Sequence, residues 1–196
     1  MSDGGGQGEL WLVRHGETEW TETGQHTSRT DVALTARGRE QATSVGGVLA
    51  GRPFAVVLSS PMTRSVDTCR LAGYGDRLEV DDDLKEWDYG DYEGRTTSEI
   101  RQERPGWTVW AGSPGGESLE HAATRARRVI ERACAAGGDA VLFSHGHFLR
   151  ILGATWLSLQ PEGGRLLSLG TASLSILGYE REARVIRGWN RSCEVG

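Results

Sequence analysis

Three short apolar runs, residues 10–13 (LWLV), 54–58 (FAVVL) and 140–143 (AVLF), have the length and continuity of buried strands. Between them the apolar spacing turns helical. Behind Thr35 as N-cap, residues 36–50 carry Ala42, Val45, Val48 and Leu49 on one face, and Gly51 closes the segment. Behind Ser118, residues through 135 place Leu119, Ala122, Ala126, Val129, Ile130 and Ala133 on an apolar face. Further helices are expected over 62–71, over 96–104, and from the end of the third strand to about 155. Residues 172–179 and 183–186 form a closing hairpin, and the polar loop 17–34 is too long for a plain connector. Strands alternating with helices predict an α/β fold: a single-domain, three-layer α/β/α sandwich on a mostly parallel central sheet.

A length of 196 residues suits one such domain, set here at 9–190 between a flexible N-terminal tail (1–8) and a C-terminal tail (191–196). The net charge of -5 argues against nucleic-acid and membrane-surface partners, which need a basic face. Lys85 is the only lysine and follows no glycine-rich loop, which removes a P-loop nucleotide site. Cys69, Cys134 and Cys193 lack metal-ligand spacing and are odd in number, consistent with a reducing, cytoplasmic setting. The first residues lack the pattern of a secretory signal, and no apolar run is long enough for a bilayer.

Candidate chemistry gathers where strands stop. The first run ends in Arg14, His15 and Gly16, and the third in Ser144, His145, Gly146 and His147. The carboxyl edge of an open α/β sheet is where such folds place ligands. With Arg64, in SSPMTRSVDT, two guanidinium and two imidazole groups make a pocket for a dianionic phosphate. Blander readings stand beside this one: a polar turn after the first strand, and a surface charge at Arg64. A metal pair at His145 and His147 lacks support from a neighbouring acid or cysteine at ligand spacing, so no metal is expected. Trp87, Tyr89 and Tyr92 suit a core or pocket wall better than a nucleic-acid stacking platform. Among the histidines, His121 sits at a polar helix position, whereas His26, in the loop, is placed for substrate contact.

The segment R-H-G-E-T-E-W resembles the signature of the histidine phosphatase superfamily, the phosphoglycerate-mutase-like enzymes, and three further segments match in the expected order from about Leu10 to about Val185. The resemblance implies a phosphoglycerate-mutase-like fold and a transient phosphohistidine on His15. It implies that Arg14, Arg64 and His145 bind the phosphate, and that Glu86, in E-W-D-Y-G-D-Y-E-G, donates a proton to the leaving oxygen and then activates water. Neither a cofactor nor a metal is implied. Thr21, His26, Thr27, Ser28 and Gly146 are the expected substrate contacts. The loop departs from the family pattern at Thr21, where many relatives carry Asn, and at Ser28, where many carry Gly. Residues 25–35, EWDYGDYEG and GGES look most like the acid phosphatase and sugar-bisphosphatase branches. The segment from Glu86 to His145 lacks the longer insertion of cofactor-dependent mutases, and a more open site favours hydrolysis.

The expectation is a cytoplasmic, metal-independent phosphomonoesterase for a small phosphorylated metabolite, a sugar phosphate or similar. Its partner is that small ester, with no nucleic acid and no membrane; a homodimer is allowed. A mutase and a catalytically silent phospholigand-binding protein are the alternatives, and retention of Glu86 speaks against silence.

Overall fold

Along the strand β1 (Leu10–Arg14), Leu10 and Leu12 enter one apolar cluster and Trp11 and Val13 enter another, so successive side chains are buried on opposite faces. A strand buried on both sides needs a cover on both sides, which is why its sequence is a continuous apolar run. A computed structural model describes residues 8–193. In chain order the main elements are β1, α1 (Glu19–Thr23), α2 (Ala36–Leu49), β2 (Val56–Ser59), α3 (Thr63–Cys69), β3 (Leu78–Val80), α4 (Thr97–Glu103), α5 (Leu119–Ala135), β4 (Ala140–Ser144), α6 (Gly146–Trp156), β5 (Leu174–Glu180) and β6 (Ala183–Arg191). The six strands form one sheet in the order β3-β2-β4-β1-β5-β6. β1 to β4 are parallel, β5 runs against β1, and β6 runs against β5.

Helices α5 and α6 cover one face, through Ala126, Val129, Ile130, Leu149 and Leu152 packed on Leu12, Leu58 and Leu142. The α2–α3 side covers the other, through Val45, Leu49 and Cys69 against Trp11, Val57 and Phe143. A third cluster, with Trp87, Tyr89, Tyr92 and Trp107, sits beside the sheet and packs the irregular middle of the chain. The expected three layers and mostly parallel sheet are present, and among the described residues no helix is long and apolar enough to cross a membrane.

Thr35, Ser118 and Thr96 cap their helices, the Thr96 cap closing a reciprocal box with Glu99. Several boundaries differ from expectation. The loop 17–34 contains α1, started by a capping box between Thr18 and Thr21 and stopped by left-handed Gly24. The helix expected over 62–71 is regular only to Cys69 and then widens across Gly73, whose φ of 89° is not helical. β3 was not expected, being three residues long with Glu79 and Val80 exposed at the sheet edge. At the C-terminal side, β6 continues to Arg191 and Cys193 is buried in the core, so packed structure crosses the boundary set at 190. The expected N-terminal tail lies outside the described residues apart from Gly8, which packs so tightly on Gly138 that a side chain there would collide with the carbonyl.

Candidate active site

The parallel register of β1 and β4 pairs Arg14 with Ser144, so the residues that follow, His15 and His145, emerge side by side with ring centroids 5.2 Å apart. His15 is held through Nδ1, 2.7 Å from the carbonyl of Gly16. A carbonyl only accepts, so Nδ1 carries the proton and Nε2 keeps its lone pair, with no hydrogen bond to it from the described residues. Burial first, then the charges of Arg64 and Arg14, push the His15 pKa well below its ordinary value. The result is a neutral imidazole whose free nitrogen faces a cavity. Gly16 is required there, because a Cβ would lie 2.3 Å from the carbonyl oxygen of Gly38.

His145 packs against the His15 ring, and the charges of Arg14 and Arg64 act on it. Arg14 donates through Nη1 to the carbonyl of Leu169 at 2.5 Å and lies flat against Gly146, where a Cβ would be 3.2 Å from its Cζ. Arg64, fully buried on α3, donates through Nη1 to Thr30 O at 3.0 Å and through Nη2 to Ser28 O at 3.3 Å. Its nearest carboxylate, Asp31, stands 3.9 Å away and is itself bonded to the amide and hydroxyl of Thr63. Carbonyls orient a guanidinium without neutralising it, so both charges remain available to a ligand. His145 is tied at Nε2 to Ser60 Oγ at 2.7 Å, and its Nδ1 has no partner. Burial and the charge of Arg64 keep this ring neutral as well.

Among the described residues, buried side-chain polar atoms without a hydrogen bond are Arg14 Nε, Arg64 Nε, His145 Nδ1 and Trp11 Nε1. Each unsatisfied group costs about 1–3 kcal/mol in a folded protein. Three of these four belong to the groups predicted to hold phosphate.

Glu86 is fastened to the first turn of α6. Its Oε1 accepts from the amides of Trp87 at 2.9 Å and Phe148 at 2.7 Å, and its Oε2 accepts from the amide of His147 at 3.1 Å. A carboxylate oxygen has two lone pairs, so Oε1 is saturated and Oε2 keeps one position for a proton. The backbone carrying Glu86 is fixed by Arg125, which donates to the carbonyls of Asp83 and Lys85 at 2.6 and 3.0 Å and forms a bidentate pair with Glu117 of the GGES segment. Tyr89 is buried beside it, its pKa raised well above the usual phenol value by burial and by the Glu86 charge. Its hydroxyl lies 2.7 Å from Nδ1 of His147.

A cavity of about 180 Å³ opens over His15, lined by Arg14, Glu86, Gly146 and the loop residues Thr21, His26 and Thr27. These predicted residues are therefore brought together, with Arg64 and His145 buried beneath. Ser28 is not in this wall and lines the neighbouring cleft with Glu86; its hydroxyl bonds Glu93 at 2.5 Å and its carbonyl holds Arg64. Glu93 also accepts from the amides of Ser28 and Thr30 at 3.0 and 2.9 Å and so clips the loop that orients Arg64. The hydroxyl of Thr21 closes the α1 capping box while the residue lines the cavity.

Gln25, His147 and Arg150 also line this cavity, beside Trp20, Gly24, Tyr89 and Leu169, without having been singled out as substrate contacts. Arg150 was legible in principle, since it sits one turn after His147 on the helix that begins at Gly146. A second cleft of about 530 Å³ lies on the other side of Glu86 and Ser28, among Arg29, Lys85 and Asp88. Arg29 pairs there with Asp88 and Lys85 with Asp82; Glu86 lines both cavities, whereas Arg14 and His15 line the smaller of the two. Among the described residues no group of three or more His, Cys, Asp or Glu side chains is placed to hold a metal ion. His145 and His147 turn to different partners, Ser60 and Tyr89.

The sequence model of the histidine phosphatase superfamily (branch 1) matches residues 10–192. An acid phosphatase of Mycobacterium tuberculosis is 41% identical over 180 residues, spanning 89% of this chain and 88% of its own. Sedoheptulose 1,7-bisphosphatase of Saccharomyces cerevisiae is 35% identical over 182 residues, spanning 76% and 67% respectively. Among solved structures, mycobacterial glucosyl-3-phosphoglycerate phosphatase complexed with VO3 superimposes with a TM-score of 0.84 at 28% identity, covering 94% of this chain and 99% of its own.

Proposed function

This chain belongs to the histidine phosphatase superfamily and is a phosphatase; we propose that it hydrolyses a small sugar-phosphate-type ester in the cytoplasm, without a metal, through a phosphohistidine on His15. The observation that carries this reading is the lone pair of His15 Nε2, together with three buried nitrogens that have no hydrogen-bond partner among the described residues, Arg14 Nε, Arg64 Nε and His145 Nδ1. Nε2 attacks phosphorus in line, and the phosphorus–oxygen ester bond breaks as the proton on Glu86 Oε2 passes to the leaving oxygen. Negative charge on the equatorial oxygens is met by the two guanidinium groups, which need no reorganisation as it develops. Water then attacks phosphorus, its proton goes to the Glu86 carboxylate, the nitrogen–phosphorus bond breaks, and His15 returns neutral with phosphate released.

The cavity supports a polyhydroxylated leaving group. His26, Tyr89 and His147 present ring edges and neutral hydrogen-bonding atoms along its wall, His26 and Tyr89 with centroids 4.9 Å apart. Arg150 donates to the carbonyls of Gly164 and Arg165 and pairs with no carboxylate among the described residues. Its charge suits an ester with a second anionic group, as in the sugar bisphosphate named for the yeast relative.

The decisive assay is hydrolysis of an aryl phosphate with and without exhaustive chelation, combined with rapid quenching. Chelator-resistant turnover and acid-labile, base-stable phosphate on His15 are expected. Turnover lost on chelation and restored by a divalent cation overturns the mechanism, and phosphoglycerate isomerisation faster than phosphate release transfers the chain to the mutases.

A further inference from the structure

His145 is a neutral imidazole, and a neutral imidazole offers one donor and one acceptor. Which nitrogen carries the proton decides whether the buried Nδ1 attracts or repels a phosphoryl oxygen. The answer lies in the hydrogen bonds of Ser60, at the end of β2 and fully buried.

The Ser60 oxygen has two partners: the amide of Met62, which donates to it at 3.4 Å, and Nε2 of His145 at 2.7 Å. An amide nitrogen cannot accept, so Nε2 is the one group in contact that can take the hydroxyl proton. In the opposite arrangement Nε2–H would donate to Ser60, the serine hydrogen would be buried without an acceptor, and a bare Nδ1 lone pair would face the phosphate. Both consequences are unfavourable, because each leaves a buried polar group without a matching partner.

We propose that Ser60 is a positioning residue that holds His145 as the Nδ1–H tautomer, turning a neutral ring into a hydrogen-bond donor aimed at the transferring phosphoryl group. The inference rests on the phosphotransfer reading for the identity of the acceptor, while the tautomer itself follows from the resting protein. His145 then adds a donor to the site without adding a third positive charge next to Arg14 and Arg64.

The experiment is nitrogen NMR of the imidazole rings in 15N-histidine-labelled protein, with His145 assigned from a His145→Asn variant. The parent should show a protonated Nδ1 and an unprotonated Nε2. Ser60→Ala should give a mixed or inverted pattern and a fall of roughly 10- to 100-fold in kcat/KM, the scale seen when supporting partners of functional histidines are removed. Ser60→Thr, which keeps the hydroxyl, should restore both. A protonated Nε2 in the parent overturns the proposal without any variant, and so does a ring unchanged by Ser60→Ala. If the tautomer is as stated but no phosphate is trapped on His15, the phosphohistidine reading fails while the role of Ser60 in fixing the ring stands.

Discussion

Strands β1 and β4 lie side by side and both deliver a His-Gly pair to the same edge, yet their imidazoles are tied through opposite nitrogens. His15 gives its Nδ1 proton to Gly16 O and presents a lone pair; His145 takes its tie at Nε2 from Ser60 and presents Nδ1. Burial and the same two arginines keep both rings neutral. What separates the proposed nucleophile from the proposed donor is one hydrogen-bond partner apiece, a backbone carbonyl in one case and a hydroxyl in the other. A site can thus use one residue type twice, in complementary roles, without shifting the two pKa values in opposite directions.

The largest expected effect is at the nucleophile. His15→Ala should lower turnover by roughly 10⁴-fold or more, because no other group supplies the covalent step. His15→Asn should be equally inactive, and measurable phosphate on the protein in either variant would break the contrast between the rings. Glu86→Gln should slow phosphohistidine formation from an alkyl phosphate by about 10²- to 10⁴-fold and far less from nitrophenyl phosphate, which leaves without a proton. Single-turnover measurement is needed, since the same carboxylate activates water in the second step. Equal slowing of both substrates would make Glu86 a structural anchor of α6.

At His145, Leu should cost about 10²- to 10³-fold in kcat, as loss of one preorganised donor does. Asn should cost clearly less, because its amide restores an N–H near the Nδ1 position. Equal losses would show that the ring acts by bulk or orientation. Glu93→Gln should raise KM and weaken inhibition by inorganic phosphate about tenfold, the worth of one hydrogen bond of about 1.4 kcal/mol, with kcat less affected. That loss should vanish in an Arg64→Met background, since Glu93 acts on the ligand through the loop that holds Arg64.

The smallest effect is on stability. The pKa values of His15, His145 and His147 are depressed in the folded protein, so below the unfolded value near 6.5 the unfolded chain binds more protons. Their contribution is complete above that pH and is lost as the pH falls toward the folded values. Tm should decline on acidification below about 6.5, and more shallowly in His147→Asn. A slope unchanged by that variant would mean that folding does not depress the His147 pKa.

Local patterns carried much of the architecture. The N-caps at Thr35, Thr96 and Ser118, the apolar faces of α2 and α5 and the continuous runs of β1 and β4 need only near neighbours to be recognised. Edge strand β3 escaped notice because one exposed, three-residue segment has no burial pattern to read. Ser28, Glu93 and Arg125 were harder still. Glu93 is an acid among five nearby acids, and only its contact with a loop 65 residues away distinguishes it from them.

By itself the sequence determined that an α/β sheet would form and that two strands would end in histidine at one edge, with Arg14 beside the first. Those are properties of periodicity and residue type, set within a few positions along the chain, whereas Arg64 and Glu86 were expected there through the resemblance of their segments to the family's motifs. Only the tertiary structure decided which nitrogen of each ring is free, that the arginines are held by carbonyls and stay charged, and that Ser28 supports the site from behind. Such assignments depend on which acceptor or donor arrives from a distant segment, Ser60 at His145 or Glu93 at Ser28. Hydrogen bonding is short-ranged and directional, so placing these partners within 3 Å is the work of the packed sheet and helices.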